Sequence, residues 1–280
     1  MGHGYHWEAA AGAGEDVIAD WIPAIVHKGS VIGRSTYLCD DGEHPPREEQ
    51  CFGVAYPDGP FRFVALISTN SVSEPKSNIV FTAYPFPHDG CVNSLTIKSA
   101  EDWVNPNEGI VDASTGSAEF SFFDPLYFLN KSSYKIGYTT DFIVTALSYV
   151  FRACEQHEIK VDGGPLLEIE RANALKEDPN ADVNKITTVS LSLEHACWLM
   201  PADAKSDYQF RGIPERVERI EVNGQGFYKV TIVLARPEET DFRAAVYASE
   251  AILDGYIPKV GEPAEGVLWL QGRPSEDAIA

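Results

Sequence analysis

The sequence predicts a mainly β protein of the β-rich α+β class, and three observations lead there. Eighteen prolines and twenty-two glycines are spread along 280 residues, breaking the chain into short pieces that suit strands and turns better than long helices. From about Val31 to Ile97, short apolar runs such as Phe61–Ile67 and Ile79–Phe86 lie between turn residues: Asp58-Gly59-Pro60, Glu74-Pro75 and Asp89-Gly90. After Tyr208, side chains alternate with the period of two expected of a strand. A chain this long with 44% hydrophobic residues can bury a large core. We read two domains, a β-rich one over residues 1–204 and a smaller one over 205–280.

Taken in order, Met1–His6 reads as an exposed start, with His3-x-x-His6 a loose pair. Residues 13–27 predict an amphipathic helix. Glu15 and Asp16 stand where the positive end of the helix dipole favours acids, Ile18, Trp21, Ile22 and Ile25 keep helical spacing, and Pro23 ends or kinks the run. Residues 99–116 are polar and predict a surface crossing. The densest aromatic stretch follows, Glu119–Asn130, broken at Pro125. Asp141–Arg152 is β-branched and aromatic enough for a buried strand. Residues 171–184 predict a loop and Ile186–Met200 a return to strand.

Tyr208–Val222 predicts a strand bent near Gly212 and Pro214, and Asn223-Gly-Gln-Gly226 supplies the positive-φ residues of a tight hairpin. Phe227–Ala235 places Tyr228, Val230, Ile232 and Leu234 on one face, Phe242–Ala248 alternates likewise, and Pro258–Pro263 leads into a last strand, Gly266–Gly272. This order of bent strand, hairpin, third strand, long connection and final strand resembles an OB-fold barrel over residues 205–273. Closure of that kind would remove sheet edges. The resemblance implies an oligonucleotide-binding face, with Tyr228 and Trp269 as stacking platforms. The basic groove that should accompany it is missing.

Charge points the same way. The formal net charge is −20, and residues 205–280 hold 9 Lys/Arg against 13 Asp/Glu, leaving 13 against 29 for residues 1–204. Such a surface repels phosphate backbones, whose binding is driven by cation release, so nucleic acid is disfavoured as a partner. No stretch approaches eighteen uninterrupted apolar residues and the N-terminus lacks a basic-then-apolar leader, so neither membrane spanning nor export is expected. Five widely spaced cysteines fit free thiols in a reducing cytoplasm.

Few constellations carry chemistry. Cys39, His44, Cys51, His88 and Cys91 offer the thiolate and imidazole ligands zinc prefers, although their spacings match no common zinc module. Ser132-x-x-Lys135 has the spacing of a serine activated by a lysine, without the companion motifs. No Gly-x-Ser-x-Gly elbow, phosphate-binding Gly-rich loop or dinucleotide fingerprint occurs. Asp124, an acid among aromatics, either closes the turn at Pro125 through its side chain or serves as an acid with a raised pKa. Glu194, His195 and Cys197 form an acid, base and thiol group, of which a strand would put only His195 and Cys197 on one face. Pairs such as Glu48-Glu49 read as solvated surface.

The functional expectation is therefore a cytoplasmic binding or interaction protein. Its contact surface for a protein or small-molecule partner would be drawn from Phe123, Asp124, Tyr127, Lys131, Tyr134 and Lys135, or from the barrel face with Tyr228 and Trp269. An enzyme using Asp124, His195 or a zinc-holding Cys/His group is the alternative, and single-stranded nucleic-acid binding by the barrel is the third.

Overall fold

A computed structural model describes residues 3–12, 15–40, 42, 44–70, 77–237 and 240–276, with the side chains of 15–18, 70 and 77 left aside. The chain divides into two compact units, one of residues 1–153 with 197–280 and one of residues 154–196. The boundary expected at 204/205 falls inside the first unit. The reason is that strands from both halves of the sequence share a sheet.

In the first unit, helices α1 (Gly4–Ala11) and α2 (Glu15–Lys28) precede β1 (Ser30–Cys39), β2 (Arg47–Tyr56), β3 (Phe61–Asn70) and β4 (Ser77–Pro87). These four strands form an antiparallel meander. Next come β5 (Cys91–Asp102), β6 (Gly109–Thr115), β7 (Ala118–Asp124), the single turn α3 (Tyr127–Asn130) and the long β8 (Thr139–Ala153). The second unit holds β9 (Glu158–Val161), α4 (Gly164–Glu177) and β10 (Val189–Ser192), with β9 and β10 paired antiparallel. The chain returns to the first unit with β11 (Trp198–Pro201), β12 (Asp207–Val222), β13 (Gln225–Ala235), β14 (Phe242–Ser249), the short α5 (Glu250–Leu253) and β15 (Ala264–Pro274).

The nine-stranded sheet of β5–β8 and β11–β15 closes on itself twice. One ring runs β12–β13–β14–β8–β15 and back to β12, in which only β14 and β8 are parallel. The other runs β5–β6–β7–β15–β8 and back to β5, in which only β7 and β15 are parallel. The strands after residue 205 thus take their fifth member, β8, from far earlier in the chain. Each ring is built by the same succession, three antiparallel strands, a one-turn helix and a fourth strand, and the two fourth strands, β8 and β15, lie side by side in both. That repeat is topological and leaves no trace of residue identity.

The ring interiors share one apolar cluster, with Leu95, Val111, Phe122 and Phe142 toward one ring and Phe210, Val230, Ile232 and Leu268 toward the other. A second cluster joins the meander and the first two helices to the outside of the sheet through Trp7, Phe61, Phe63, Phe123, Tyr247 and Trp269. The hairpin at Asn223-Gly224 takes positive φ at both residues, 49° and 81°, and pairs Val222 with Gln225, which is the two-residue turn that suits right-handed strand twist.

Several local expectations hold and several shift. The helix expected over 13–27 is present from Glu15 to Lys28, residues 13 and 14 lying outside the described residues, and the strand over 141–152 is present. The polar stretch 99–116 is largely strand, β5 ending at Asp102 and β6 beginning at Gly109. Residues 171–177, read as loop, complete α4, and Ile186–Met200 is two short strands separated by a turn. Glu49, read as solvated, is buried beside Arg47 at 2.8 Å and accepts from Ser68.

Candidate functional site

The N-terminal residues, expected to be loose, build the most chemically loaded part of the molecule. Ala9-Ala-Ala11 favours helix, and Gly12, at φ 68°, ends it with its N–H on Glu8 O at 2.8 Å. The small alanines let α1 sink into the fold: Ser249 Oγ donates to Ala9 O, Gln225 Nε2 to Ala11 O, and the Trp7 indole to Ala83 O at 2.8 Å. Three-residue spacing then places His3 and His6 on one side, both buried.

Their rings form a relay. His3 Nε2 lies 2.7 Å from Glu108 Oε1, and its Nδ1 lies 2.7 Å from His6 Nδ1. Glu108 also accepts from Thr82 Oγ1 at 2.9 Å and from Asn105 Nδ2, so its carboxylate faces donors only. With the Glu108 carboxylate accepting from His3 Nε2–H, a single proton lies between the facing Nδ1 atoms of His3 and His6. The His6 ring stacks on Trp269 at 3.6 Å and 1°, and burial, with His3 adding to it, pushes its pKa down to about 2. Trp269 is itself fixed by Nε1 on Ser206 Oγ at 3.1 Å.

His6 forms part of the wall of an open cavity of about 770 Å³. Tyr5, Glu8 and Ala9 of α1 line it, with Trp103, Tyr149 of β8, residues 202–204 and Asp207 at the start of β12, Ile252 and Val267. Tyr149 donates to Asp207 Oδ1 at 3.1 Å. Burial lifts the Asp207 carboxyl to about 6 against that hydrogen bond, and the charge of Asp203 adds to the rise. Burial and Asp207 together push the Tyr149 phenol well up. Among the described residues the lining has three carboxylates, several aromatic rings and no lysine or arginine. These carboxylates make the described lining electronegative, and Asp207 titrates at about 6.

The residues singled out from sequence are mostly placed elsewhere. Phe120, Phe122, Phe123, Tyr127 and Phe128 are core, which their large burial area explains. From the same segment only Ile136 and Tyr138, both 63% exposed, reach the surface as large apolar groups; Lys135 lies over the Tyr138 ring at 5.5 Å. Lys131 is exposed and pairs with Asp102 at 2.5 Å, and Tyr127 donates to the same carboxylate. Asp124 is fully buried with both oxygens engaged: Leu126 N donates to Oδ1 at 2.8 Å, closing the turn at Pro125, and Asn130 and Tyr134 donate to Oδ2. Tyr228 is half-buried, and Trp269 is buried rather than a platform, although it floors the His6 site.

The zinc candidates do not gather. Cys39 faces Arg47 across the β1–β2 hairpin while Cys51 faces Ser35, about 13 Å further along. Cys51 is buried and its thiol is pushed up to about 12. His88 lies against Arg273, and Cys91 begins β5. Among the described residues no group of three or more His, Cys, Asp or Glu is placed to hold a metal, and no two of the five cysteines are joined in a disulfide. Glu194 and His195 lie in a turn, so the strand geometry assumed for them does not apply, and Ser132 and Lys135 are both exposed. What was missed, the His3–His6–Trp7 spacing ahead of an alanine run and a glycine, was present as a short capped helix signal. Among the described residues no helix is long and apolar enough to cross a membrane. Comparison with protein-family models, curated proteins and solved structures finds no match to this chain.

Proposed function

We propose that this chain is a binding protein for a small neutral or cationic molecule, held in the cavity behind α1 and equipped there for proton transfer. The observation that carries the reading is the lining: Glu8, Asp203 and Asp207 with Tyr5, His6, Trp103 and Tyr149, and no lysine or arginine among the described residues. Aromatic faces and carboxylates together select positive or polarised groups. Asp207, with its carboxyl near 6, is the base, and Tyr149, hydrogen-bonded to it, positions that base. His6, joined through His3 to Glu108, sets a second polar group in the wall.

Each ring has a strand, hairpin, third strand, short helix and further strand closing five members, and this order supports the OB-type reading for both. The acidic lining speaks against a polyanion on either ring. Five cysteines without a disulfide among the described residues support a reducing compartment such as the cytoplasm.

Calorimetric titration of the full chain with benzylamine, benzyl alcohol and benzoate tests the proposal. We expect benzylamine to bind best and benzoate not at all. The benzylamine preference should fade as pH falls through about 6, where Asp207 takes its proton, and should be absent in Asp207→Asn. Benzoate binding as tightly as benzylamine, or no binding by any of the three, would overturn it.

A further inference from the structure

In a chain with 42 acidic and 22 basic side chains, arginines readily find carboxylates: Arg152 meets Glu265 at 2.9 Å, Arg219 meets Glu250 at 2.7 Å and Arg243 meets Glu215 at 2.8 Å. Arg62 and Arg273 do not. Arg62, on β3, gives Nε to Gly59 O at 3.2 Å and forms no ion pair among the described residues. Arg273, near the end of β15, is 6% exposed, and its Nε has no partner among the described residues. Its Nη2 lies 3.3 Å from His88 Nε2.

Both guanidiniums and His88 line one open cavity of about 630 Å³. Asp89, its single carboxylate among the described residues, is already held by Lys229. Because His88 Nε2 accepts from Arg273, the neutral ring carries its proton on Nδ1, a further donor. With His88 neutral, the described lining sets two guanidiniums against the one Asp89 carboxylate. Burial, then Arg273 and Arg62, push His88 down to about 4. Burial also lowers Arg273, against the opposing influence of Glu276, Asp124 and Asp89, none of which reaches it as an ion pair among the described residues. Keeping two guanidiniums together, one of them buried with an unmade hydrogen bond, is costly unless an anion completes the arrangement.

We propose that this cavity binds a small oxyanion, the phosphate or carboxylate group of a ligand, clamped by Arg62 and Arg273 with His88 as the third donor. Planar guanidinium forks match both groups. The site shares no residue with the cavity behind α1, so its test stands apart from the reading above.

Titration of the full chain at low ionic strength uses two probes, sulfate for a tetrahedral group and acetate for a planar one. Saturable one-to-one binding of at least one is expected. It should weaken with added sodium chloride and fall about tenfold or more in Arg62→Gln. Arg273→Lys keeps the charge but loses the fork, and should weaken the same probe while the fold, read by circular dichroism, persists. Sulfate alone binding assigns a phosphate-bearing ligand, and acetate alone a carboxylate. No saturable binding of either probe, or binding unchanged in Arg62→Gln, overturns the site.

Discussion

Replacing Asp124 by asparagine isolates the cost of a single buried charge. Burial lifts this carboxyl from 3.8 to about 6, in opposition to the hydrogen bonds from Tyr134, Leu126 and Asn130. The unfolded chain titrates at the ordinary value, so the folded chain holds the proton more tightly. The stability this confers is complete below pH 3.8 and is lost as pH rises through about 6. A gap of about 2.2 pH units at about 1.36 kcal/mol each amounts to about 3 kcal/mol. Asparagine does not titrate. Whatever constant offset its amide introduces beside Tyr134 and Asn130, the offset cannot vary with pH in this way. Urea unfolding of both proteins at steps from pH 4 to 7.5 should therefore show the variant gaining about 2.4 kcal/mol on the wild type, the rest of the gap lying below pH 4. Parallel stability curves would refute the reasoning and mean that the three hydrogen bonds outweigh burial.

Two further perturbations probe the frame around the sites. His6, its pKa driven down to about 2, stays neutral in the fold while the unfolded chain takes a proton below about 6.5, so its contribution is present above that pH and lost on acidification. Between pH 7 and 5 the wild type should lose about 2 kcal/mol relative to His6→Asn, and a difference that does not change with pH would sink the picture of a buried neutral ring. At Gly266 a Cβ would stand 1.8 Å from Val150 O, backbone of the neighbouring strand, so Gly266→Ala should cost about 2 kcal/mol or more in urea unfolding. Gly163→Ala, which meets nothing within 4 Å, serves as the control, and equal stabilities for the two variants would contradict the packing.

The class of the fold was legible because it depends on local periodicity: alternation after Tyr208 became β12–β15, and Asn223-Gly224 became their hairpin. Ring closure was not, because β8 reaches β14 and β15 across about a hundred residues, and pairing at that distance leaves no local mark. The aromatic run 120–128 was visible as a cluster, but composition does not distinguish core from contact surface, and burial decided for core. The site was legible only in pieces. Trp269 was picked out for the wrong reason, as a platform and not as the floor under His6. Tyr149 and Asp207 looked like ordinary strand residues until two distant segments brought them to 3.1 Å. His3 and His6 were discounted for their position near the start of the chain, where exposure is the usual state; a buried alanine-rich helix reversed that.

Because β8 and β15 each belong to both rings, neither ring can close during synthesis until residues 264–274 have left the ribosome. Until then β5–β8 would expose an unpaired edge, and the chain would depend on late, long-range pairing that is slow to form and open to aggregation. We therefore expect refolding to be slow, and fragments cut between β8 and β12 to be unable to hold either ring alone.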